Sequence, residues 1–361
     1  MDDVKCFACG KHGHIKKECP EIRARKLANV VCYKCKQTGH LAKQCNVDKS
    51  SSGISVGRSW LSSSTRTFAR QAQLENGFKF HFDSTAAEQR VSKVQYIDSH
   101  CHLNFLFDKK KHYHGFDSFK RKFQFPENFA GCVTIFCDPA SFSSFGMSDE
   151  LLCHKQVWAA FGFHPHNAKY YNDTLEYKLC ERLQHPKVVA LGEIGLDYSA
   201  RLQSEIDIQK EVFRKQVKLA ELWKKPLVIH CRESEEDVFE ILSTNIPKHW
   251  KIHLHCYTGS YEIATKFLSH FPNLFLGITG IVTYPSAKQV QEVVRKAPIE
   301  RILLETDAPY LVPTSLSSET RHSHSGMIPL VAQEIAKIKC ISLDKVFEHA
   351  LANTKYVYGI S

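Results

Sequence analysis

Eight short runs rich in β-branched and aromatic residues recur between residues 94 and 307, and they constrain the fold more than any other feature of the sequence. The runs are Val94–His102, Ala130–Cys137, Val157–His164, Val188–Glu193, Pro226–Arg232, Lys251–Cys256, Asn273–Thr279 and Arg301–Asp307. Continuous apolar runs of this length are typical of parallel strands that are buried on both faces. Helix-like segments separate the runs, and the clearest is Glu205–Lys224. Its apolar stripe at helical spacing consists of Ile208, Val212, Phe213, Val217 and Ala220.

The number and size of these units favour one fold class. Eight strand–helix units between residues 94 and 361 match the size of a (β/α)8 barrel. A doubly wound open sheet of parallel strands is the main alternative, and periodicity by itself does not exclude it. Because domains hold ~100–200 residues, a chain of 361 residues is expected to contain more than this one unit.

Two short cysteine and histidine motifs with the same spacing repeat near the amino terminus. The first consists of Cys6, Cys9, His14 and Cys19, and the second of Cys32, Cys35, His40 and Cys45. Three thiolates and one imidazole complete a tetrahedral zinc site, and segments this short need such a metal in order to fold. The motifs resemble CCHC zinc knuckles, and each predicts one structural zinc ion.

The composition along the chain predicts three regions. Residues 1–49 form the tandem knuckles, residues 50–93 are a Ser-rich flexible linker, and residues 94–361 form the barrel. No apolar run reaches the length of a membrane helix, and Met1–Lys5 lacks the apolar stretch of a secretory signal. We therefore expect the 14 cysteines to be thiols and metal ligands inside the cell, in the nucleus, the cytoplasm or both.

The positive charge of the chain is concentrated in the knuckle region. Residues 1–49 contribute +6 of the net charge of +10, which favours an anionic partner. The resemblance to zinc knuckles implies that apolar and aromatic side chains stack on unpaired bases while lysines contact phosphates. The stacking residues would be Phe7, Ile15, Tyr33 and Leu41, and the lysines include Lys11 and Lys36. A purely structural or protein-binding role for the knuckles is the alternative.

Potential metal ligands occur where the predicted strands end. His100 and His102 form a His-x-His pair at the end of the first strand, and Glu193 ends the fourth. His230, His255 and Asp307 end the fifth, sixth and eighth strands. In a barrel, the carboxyl ends of all strands open on one face, where the active sites of this fold are built. Six nitrogen and oxygen donors on that face suffice for two divalent ions that share one bridging carboxylate.

At these positions the chain resembles the TatD-type metal-dependent deoxyribonucleases, and in particular their larger animal members. The motifs that carry the resemblance are Asp98–Leu103, Gly162–His166, Gly192–Tyr198, Ile229–Arg232, His255–Ser260 and Leu304–Leu311. The resemblance implies a (β/α)8 barrel of the metal-dependent hydrolase superfamily that cleaves DNA phosphodiesters, commonly as a 3′→5′ exonuclease. One departure is the segment His324-Ser325-Gly326-Met327, where the typical family has Asn-Glu-Pro.

The resemblance also implies a role for each site residue. The ligands of two divalent ions (Mg, Mn or Zn) would be His100, His102, Glu193, His230, His255 and Asp307, with Glu193 bridging. His164 and Arg232 would contact the scissile phosphate. Asp307 is the candidate to orient or deprotonate a water activated by both ions. The expected partner is single-stranded DNA or RNA with a free 3′ end, bound by a monomer.

Two other functions use the same features. The first is an amidohydrolase that acts on a small cyclic amide, but many such enzymes bridge their metals with a carbamylated lysine, where this chain has Glu193. The second is a nucleic-acid-binding protein that keeps the barrel as a non-catalytic scaffold. Two basic runs, Lys109–Lys111 and Lys120–Lys122, could line a nucleic-acid groove, although such runs are usually solvated surface.

Overall fold

The computed structural model describes residues 92–112, 114–142, 146–199 and 205–361. The zinc knuckles predicted over residues 1–49, with their stacking and phosphate-binding residues, lie outside this part of the chain. Nearly all of the linker predicted over residues 50–93 lies outside it as well. The barrel predicted from residue 94 onward falls within it.

Eight parallel strands form one sheet, in which each strand pairs with the next along the chain. The strands are β1 (Tyr96–Cys101), β2 (Phe129–Phe136), β3 (Val157–Phe161), β4 (Val188–Asp197), β5 (Leu227–Arg232), β6 (Ile252–Leu254), β7 (Leu274–Ile278) and β8 (Ile302–Leu304). A bridge between Cys101 and Ala308 links the end of the sheet back to β1, and the His102 N–H donates to the Ala308 carbonyl at 2.7 Å. The sheet therefore nearly closes into a barrel. This confirms the predicted fold and excludes a doubly wound sheet, whose strand order reverses.

Helices follow the strands and cover the barrel. Within the described residues these are α1 (Leu103–Lys110), α2 (Phe116–Lys122), α3 (Met147–Leu152), α4 (Asp173–Leu183), α5 (Ile206–Trp223), α6 (Glu235–Asn245), α7 (Tyr261–His270), α8 (Lys288–Lys296), α9 (Ile328–Lys339) and α10 (Leu343–Tyr358). Every residue of β1, β4 and β7 is buried, as expected for parallel strands with both faces covered. In the part of the chain that the structure covers, no helix combines the length and apolarity needed to cross a bilayer.

Helix α5 departs from the predicted stripe at one position. Ile208 is 43% exposed, whereas Gln209 and Gln216 are buried. The Gln216 side chain accepts the Phe163 N–H at 2.7 Å and donates to the Phe163 carbonyl at 3.2 Å. Gln209 makes the same pair of bonds to the backbone of Asp197, at 2.8 and 3.0 Å. The prediction for Ile208 was wrong because these two amides satisfy buried backbone groups that would otherwise lack partners.

Candidate metal centre

Five of the six predicted ligands lie near or just beyond the carboxyl ends of their strands, and the predicted positions of Glu193 and Asp307 need correction. Strand β4 continues to Asp197, so Glu193 lies inside the strand and not at its end. Its pairing with β5 shifts register between Gly192 and Ile194. This bulge leaves Glu193 as the extra residue, and a bulge of this kind redirects a side chain. Strand β8 ends at Leu304, so Asp307 belongs to the segment that follows.

The two carboxylate oxygens of Glu193 face different histidines. Oε1 lies 2.8 Å from Nδ1 of His230 and 2.8 Å from Nε2 of His255. Oε2 lies 3.7 Å from Nε2 of His100 and 3.6 Å from Nε2 of His102. Glu193 therefore stands between two pairs of imidazoles, which is the position of a carboxylate shared by two cations.

Asp307 joins the first pair of imidazoles. Its Oδ1 lies 3.6 Å from Nε2 of His100 and 3.3 Å from Nε2 of His102. The Asp307 backbone has a φ of 51°, in the left-handed region that is uncommon for residues other than glycine. Its N–H donates to the His100 carbonyl at 3.0 Å, which ties this segment to β1. The ligand atoms of His100, His102 and Asp307 all lie within 4.8 Å of one another, close enough to share one metal ion.

Two of the four histidines are oriented from behind by a hydrogen bond to their other ring nitrogen. Nδ1 of His102 lies 3.3 Å from the Ile135 carbonyl, and Nε2 of His230 lies 3.3 Å from Oδ2 of Asp197. Nδ1 of His255 faces Oε1 of Glu305 at 3.9 Å, beyond hydrogen-bond distance. Metal-binding histidines characteristically have a carbonyl or carboxylate on the ring nitrogen that faces away from the metal. Asp197 and Glu305 were not predicted as site residues from the sequence, although both lie within the motifs that carry the family resemblance.

Three buried polar side chains lie behind His255. Oε2 of Glu305 lies 2.8 Å from Nε2 of His253, but the two atoms do not have the geometry of a hydrogen bond. Nδ1 of His253 donates a hydrogen bond to the Tyr358 hydroxyl at 2.7 Å, and that hydroxyl donates to the Ser99 carbonyl. Burial raises the pKa of Glu305 to about 8 and lowers the pKa of His253 well below its usual value. A neutral carboxyl group therefore lies beside a neutral imidazole.

Asp98 joins β1 to the segment that carries Asp307. Its Oδ1 accepts the His100 and Thr306 N–H groups at 3.3 and 3.0 Å, and its Oδ2 accepts the Thr306 hydroxyl at 2.6 Å. Burial raises the pKa of Asp98 to about 7, although these hydrogen bonds oppose the shift. Asp98 thus supports the centre through the backbone and a threonine, without contacting a histidine ring.

The two residues predicted to contact the scissile phosphate, His164 and Arg232, differ in their distance from the cluster of predicted ligands. Nε2 of His164 lies 3.4 Å from Oε1 of Glu193, so this histidine is part of the cluster. Its Nδ1 accepts the His166 N–H at 3.1 Å, so a neutral His164 carries its proton on Nε2. Arg232 ends β5 two residues after His230 and is exposed. Among the described residues it makes no ion pair, so its guanidinium is not held against the cluster.

Cys137 is a site neighbour that the sequence analysis missed. Its buried Sγ lies 4.0 Å from Nδ1 of His102. The available signal was its position, because it ends the second predicted strand just as the ligands end theirs. Burial raises the pKa of this thiol, and the ligand atoms of Cys137, His102 and Glu193 all lie within 4.8 Å of one another.

The negative charge of the carboxylates in the cluster favours binding of a cation. Burial by itself would raise the pKa of Glu193, but His255 and His164 bring it well below the usual value, so the carboxylate is ionised. Within the described part of the chain, no lysine or arginine pairs with Glu193 or Asp307. A buried carboxylate of this kind needs positive charge from another source. Imidazole and carboxylate donors suit divalent ions such as zinc and manganese, and the residues present fit a metal centre.

Comparisons with known proteins agree with this geometry. Residues 97–359 match the model of the family described as TatD related DNase, and residues 4–21 and 30–46 each match the zinc knuckle model. The human protein named 3'-5' RNA nuclease TATDN2 is 42% identical over 268 residues, which make up 73% of this chain and 35% of that protein. The Escherichia coli protein named 3'-5' ssDNA/RNA exonuclease TatD is 29% identical over 211 residues, or 58% of this chain and 80% of that protein.

Solved structures support the fold. The E. coli TatD homolog YJJV aligns with a TM-score of 0.64 at 23% identity, covering 75% of this chain and all (100%) of that one. A TatD family hydrolase from Entamoeba histolytica aligns with a TM-score of 0.62 at 22% identity, covering 74% of this chain and 99% of that one. With the barrel, the converging ligands and the family match over residues 97–359, the chain belongs to the TatD related DNase family and carries two zinc-knuckle sequences ahead of its family domain.

Proposed function

We propose that this chain is a metal-dependent nuclease that hydrolyses phosphodiester bonds of single-stranded DNA or RNA from the 3′ end. The observation that carries the proposal is the position of Glu193, whose two oxygens face different histidines. Two divalent ions that share one carboxylate are a common arrangement for phosphodiester hydrolysis. The names of the human and E. coli relatives, which state RNA and ssDNA/RNA, support the substrate class.

The donor set divides into two halves. His100, His102 and Asp307 would hold one ion, His230 and His255 the other, and Glu193 would contact both. Four imidazoles favour manganese or zinc over magnesium, which prefers oxygen ligands. When bound, two such ions supply Lewis acidity toward a phosphoryl oxygen and lower the pKa of a water nucleophile.

The remaining chemistry belongs to residues of this chain. The Asp307 side chain, which is 15% exposed, would accept a proton from the attacking water. His164 would contact a nonbridging phosphate oxygen through Nε2, which lies 3.4 Å from Oε1 of Glu193, because its Nδ1 accepts the His166 N–H. Arg232 offers a planar fork of donors for the same oxygens, and its exposed side chain is able to reach a bound strand.

The two zinc-knuckle sequences supply the second part of the proposal. Each would bind one structural zinc ion and stack unpaired bases on its apolar residues, a contact that tolerates any sequence. A covalent tether between knuckles and barrel raises the local concentration of the strand at the metal centre. We infer that the chain acts as a monomer on strands held in this way.

The test is degradation of 5′-labelled single- and double-stranded DNA, RNA and hybrids by the full chain, with Mn²⁺, Zn²⁺ or Mg²⁺ and with EDTA. We expect a ladder that shortens from the 3′ end with metal present, and we expect Glu193→Ala to abolish it. Glu334→Ala, at a surface helix position that forms an ion pair with Lys337, is the matched control and should retain the activity. Equal degradation by wild type and a folded Glu193→Ala variant would contradict the proposal.

A further inference from the structure

A cavity of about 350 Å³ opens between the end of α1 and the loop that precedes α9. Its basic lining residues are Lys109, Lys110, Lys111, Arg321 and His322. Glu319 is the single carboxylate among its lining residues, so the cavity carries net positive charge. The loop belongs to the part of the chain that departs from the family pattern, since His324 and Met327 also line the cavity.

The basic residues that line the cavity act on the His322 side chain among them. Burial lowers the pKa of His322, and Lys110, Lys109 and Arg321 lower it further by repulsion. Among the described residues, Lys109, Lys111 and Arg321 have no carboxylate within ion-pairing distance. A concave surface with uncompensated cations attracts an anionic ligand and increases its local concentration.

The second basic run makes an informative contrast. In α2, Nζ of Lys120 lies 2.9 Å from Oδ1 of Asp117 and also donates to the Gln156 side chain. The hollow beside it is lined by Asp117 and Glu127 as well as by Lys120 and Arg121. Lys120 and Arg121 share that hollow with two carboxylates, whereas no carboxylate among the described residues lies within ion-pairing distance of Lys109, Lys111 or Arg321.

An exposed aromatic residue connects the cavity with the metal centre. Tyr310 is 45% exposed, and its ring centroid lies 6.3 Å from that of His102. Nζ of Lys109 lies 5.8 Å from the centroid of the same ring. Tyr310 is therefore close both to a predicted metal ligand and to the basic residues of the cavity.

The cavity has a rigid, partly apolar floor. The buried ring of His324 stacks on Phe125 with centroids 5.1 Å apart and planes 14° apart. Its Nδ1 accepts the Gly326 N–H at 3.2 Å, which fixes the turn over Ser325–Met327. Phe123 completes this floor, and Nζ of Lys110 lies 5.2 Å from its ring centroid. Sugar and base edges can pack on such a floor while the lysines meet phosphates.

We propose that this cavity binds the sugar-phosphate backbone of the single strand whose terminal phosphodiester lies at the metal centre, with Tyr310 stacking on a base between the two sites. This inference rests on the proposed nuclease function and names a second anion-binding subsite for the same substrate. The physical basis is that single-stranded nucleic acid is bound by a basic groove that follows its phosphates together with aromatic rings that stack on its bases.

The test compares the triple variant Lys109→Gln/Lys111→Gln/Arg321→Gln with the matched control Lys215→Gln/Lys296→Gln/Lys337→Gln, which removes the same charge from surface helices. Two substrates are used: a single-stranded oligonucleotide and bis(p-nitrophenyl) phosphate, which is too small to span both sites. We expect the cavity variant to lose about 10-fold more kcat/KM on the oligonucleotide than on the small diester, and its salt dependence to weaken by about 2 logarithmic slope units. The control variant should show the same fractional change in kcat/KM on both substrates.

A cross-linking experiment tests strand binding in the cavity independently of the proposed nuclease activity. An oligonucleotide that carries 4-thiothymidine is irradiated with the full-length, EDTA-treated protein, and the cross-linked peptides are identified by mass spectrometry. We expect cross-links in peptides that contain Tyr310 or Lys109–Lys111, and their loss in the cavity variant, even if no substrate is cleaved. Cross-links confined to residues 1–49, or equal kinetics of the cavity variant and its control, would overturn the inference.

Discussion

Glu305 and His253 form a buried pair in the barrel, with Oε2 and Nε2 2.8 Å apart and both side chains inaccessible to solvent. Both groups are neutral, because burial raises the pKa of Glu305 to about 8 and lowers the pKa of His253 well below its usual value. The remaining ring proton of His253 is on Nδ1, which donates a hydrogen bond to the Tyr358 hydroxyl. Oε1 of Glu305 accepts the Cys256 N–H and faces Nδ1 of His255 at 3.9 Å. The pair thus supports a predicted metal ligand from the interior of the barrel.

Replacing Glu305 tests this arrangement through stability. Glu305→Gln keeps the shape of the side chain and an acceptor for the Cys256 N–H, so we expect a change in the free energy of unfolding below about 1 kcal/mol. Glu305→Ala leaves a cavity and an unpaired Cys256 N–H, and we expect it to destabilise the protein by about 2–4 kcal/mol. Urea unfolding in the presence of EDTA measures both. Equal stabilities of the two variants would contradict a stabilising role for the buried, neutral Glu305 side chain.

The same residue predicts a pH dependence. Burial raises the pKa of Glu305 from 4.5 to about 8, so the folded chain holds a proton that the unfolded chain has released between these values. The unfolded state therefore binds fewer protons in this window, and the contribution of Glu305 to stability falls as pH rises. The amide side chain of the Glu305→Gln variant cannot ionise, so this variant does not lose stability in this way as pH rises. We expect its stability relative to wild type to increase with pH up to about 8 and then level off, as measured by urea unfolding across pH.

Gln216 in helix α5 is expected to hold the backbone next to His164. Gln216→Met has a similar shape but removes both hydrogen bonds to Phe163, so a buried N–H and a carbonyl lose their partners. We expect a destabilisation of about 2–3 kcal/mol in urea unfolding. Ile208→Met in the same helix is the matched control, because that side chain is 43% exposed, and it should change stability by less than about 0.5 kcal/mol. If the two substitutions changed the free energy of unfolding by similar amounts, the hydrogen bonds between Gln216 and Phe163 would contribute little to stability.

Asp197 is expected to position His230 toward the metal. Its Oδ2 lies 3.3 Å from Nε2 of His230 and 3.0 Å from Nε2 of His166, and these hydrogen bonds hold the pKa of Asp197 well below its usual range although burial opposes them. Asp197→Asn weakens the charge behind His230, so we expect Mn²⁺ affinity to fall about 10- to 100-fold. Isothermal titration calorimetry with Mn²⁺ is the measurement, and Asp173→Asn on the surface of α4 is the control. A Kd for Mn²⁺ within a factor of two of the wild-type value would show that Asp197 does not contribute to metal binding.

Much of the fold was predictable because parallel strands buried on both faces leave a local record in the sequence. The eight apolar runs correspond to β1–β8, and the predicted helix Glu205–Lys224 corresponds to α5 (Ile206–Trp223). The ligand types were also readable, because a histidine or carboxylate that follows an apolar run lies at the catalytic face of any such barrel. The strand ends were predicted less accurately. Strand β4 continues past Glu193 to Asp197 because these residues pair with β5, and the pairing depends on two segments that are distant in the sequence.

The sequence by itself determined the element order, the family motifs and the chemical identity of the donors, because these depend on local pattern and residue type. Only the tertiary structure decided that Glu193 turns one oxygen to each group of histidines, and that Asp197 and Glu305 stand behind them. It also decided that one basic run is balanced by Asp117 while the other lines an open cavity. These relationships join residues far apart in the chain, and they depend on distances that closure of the barrel sets.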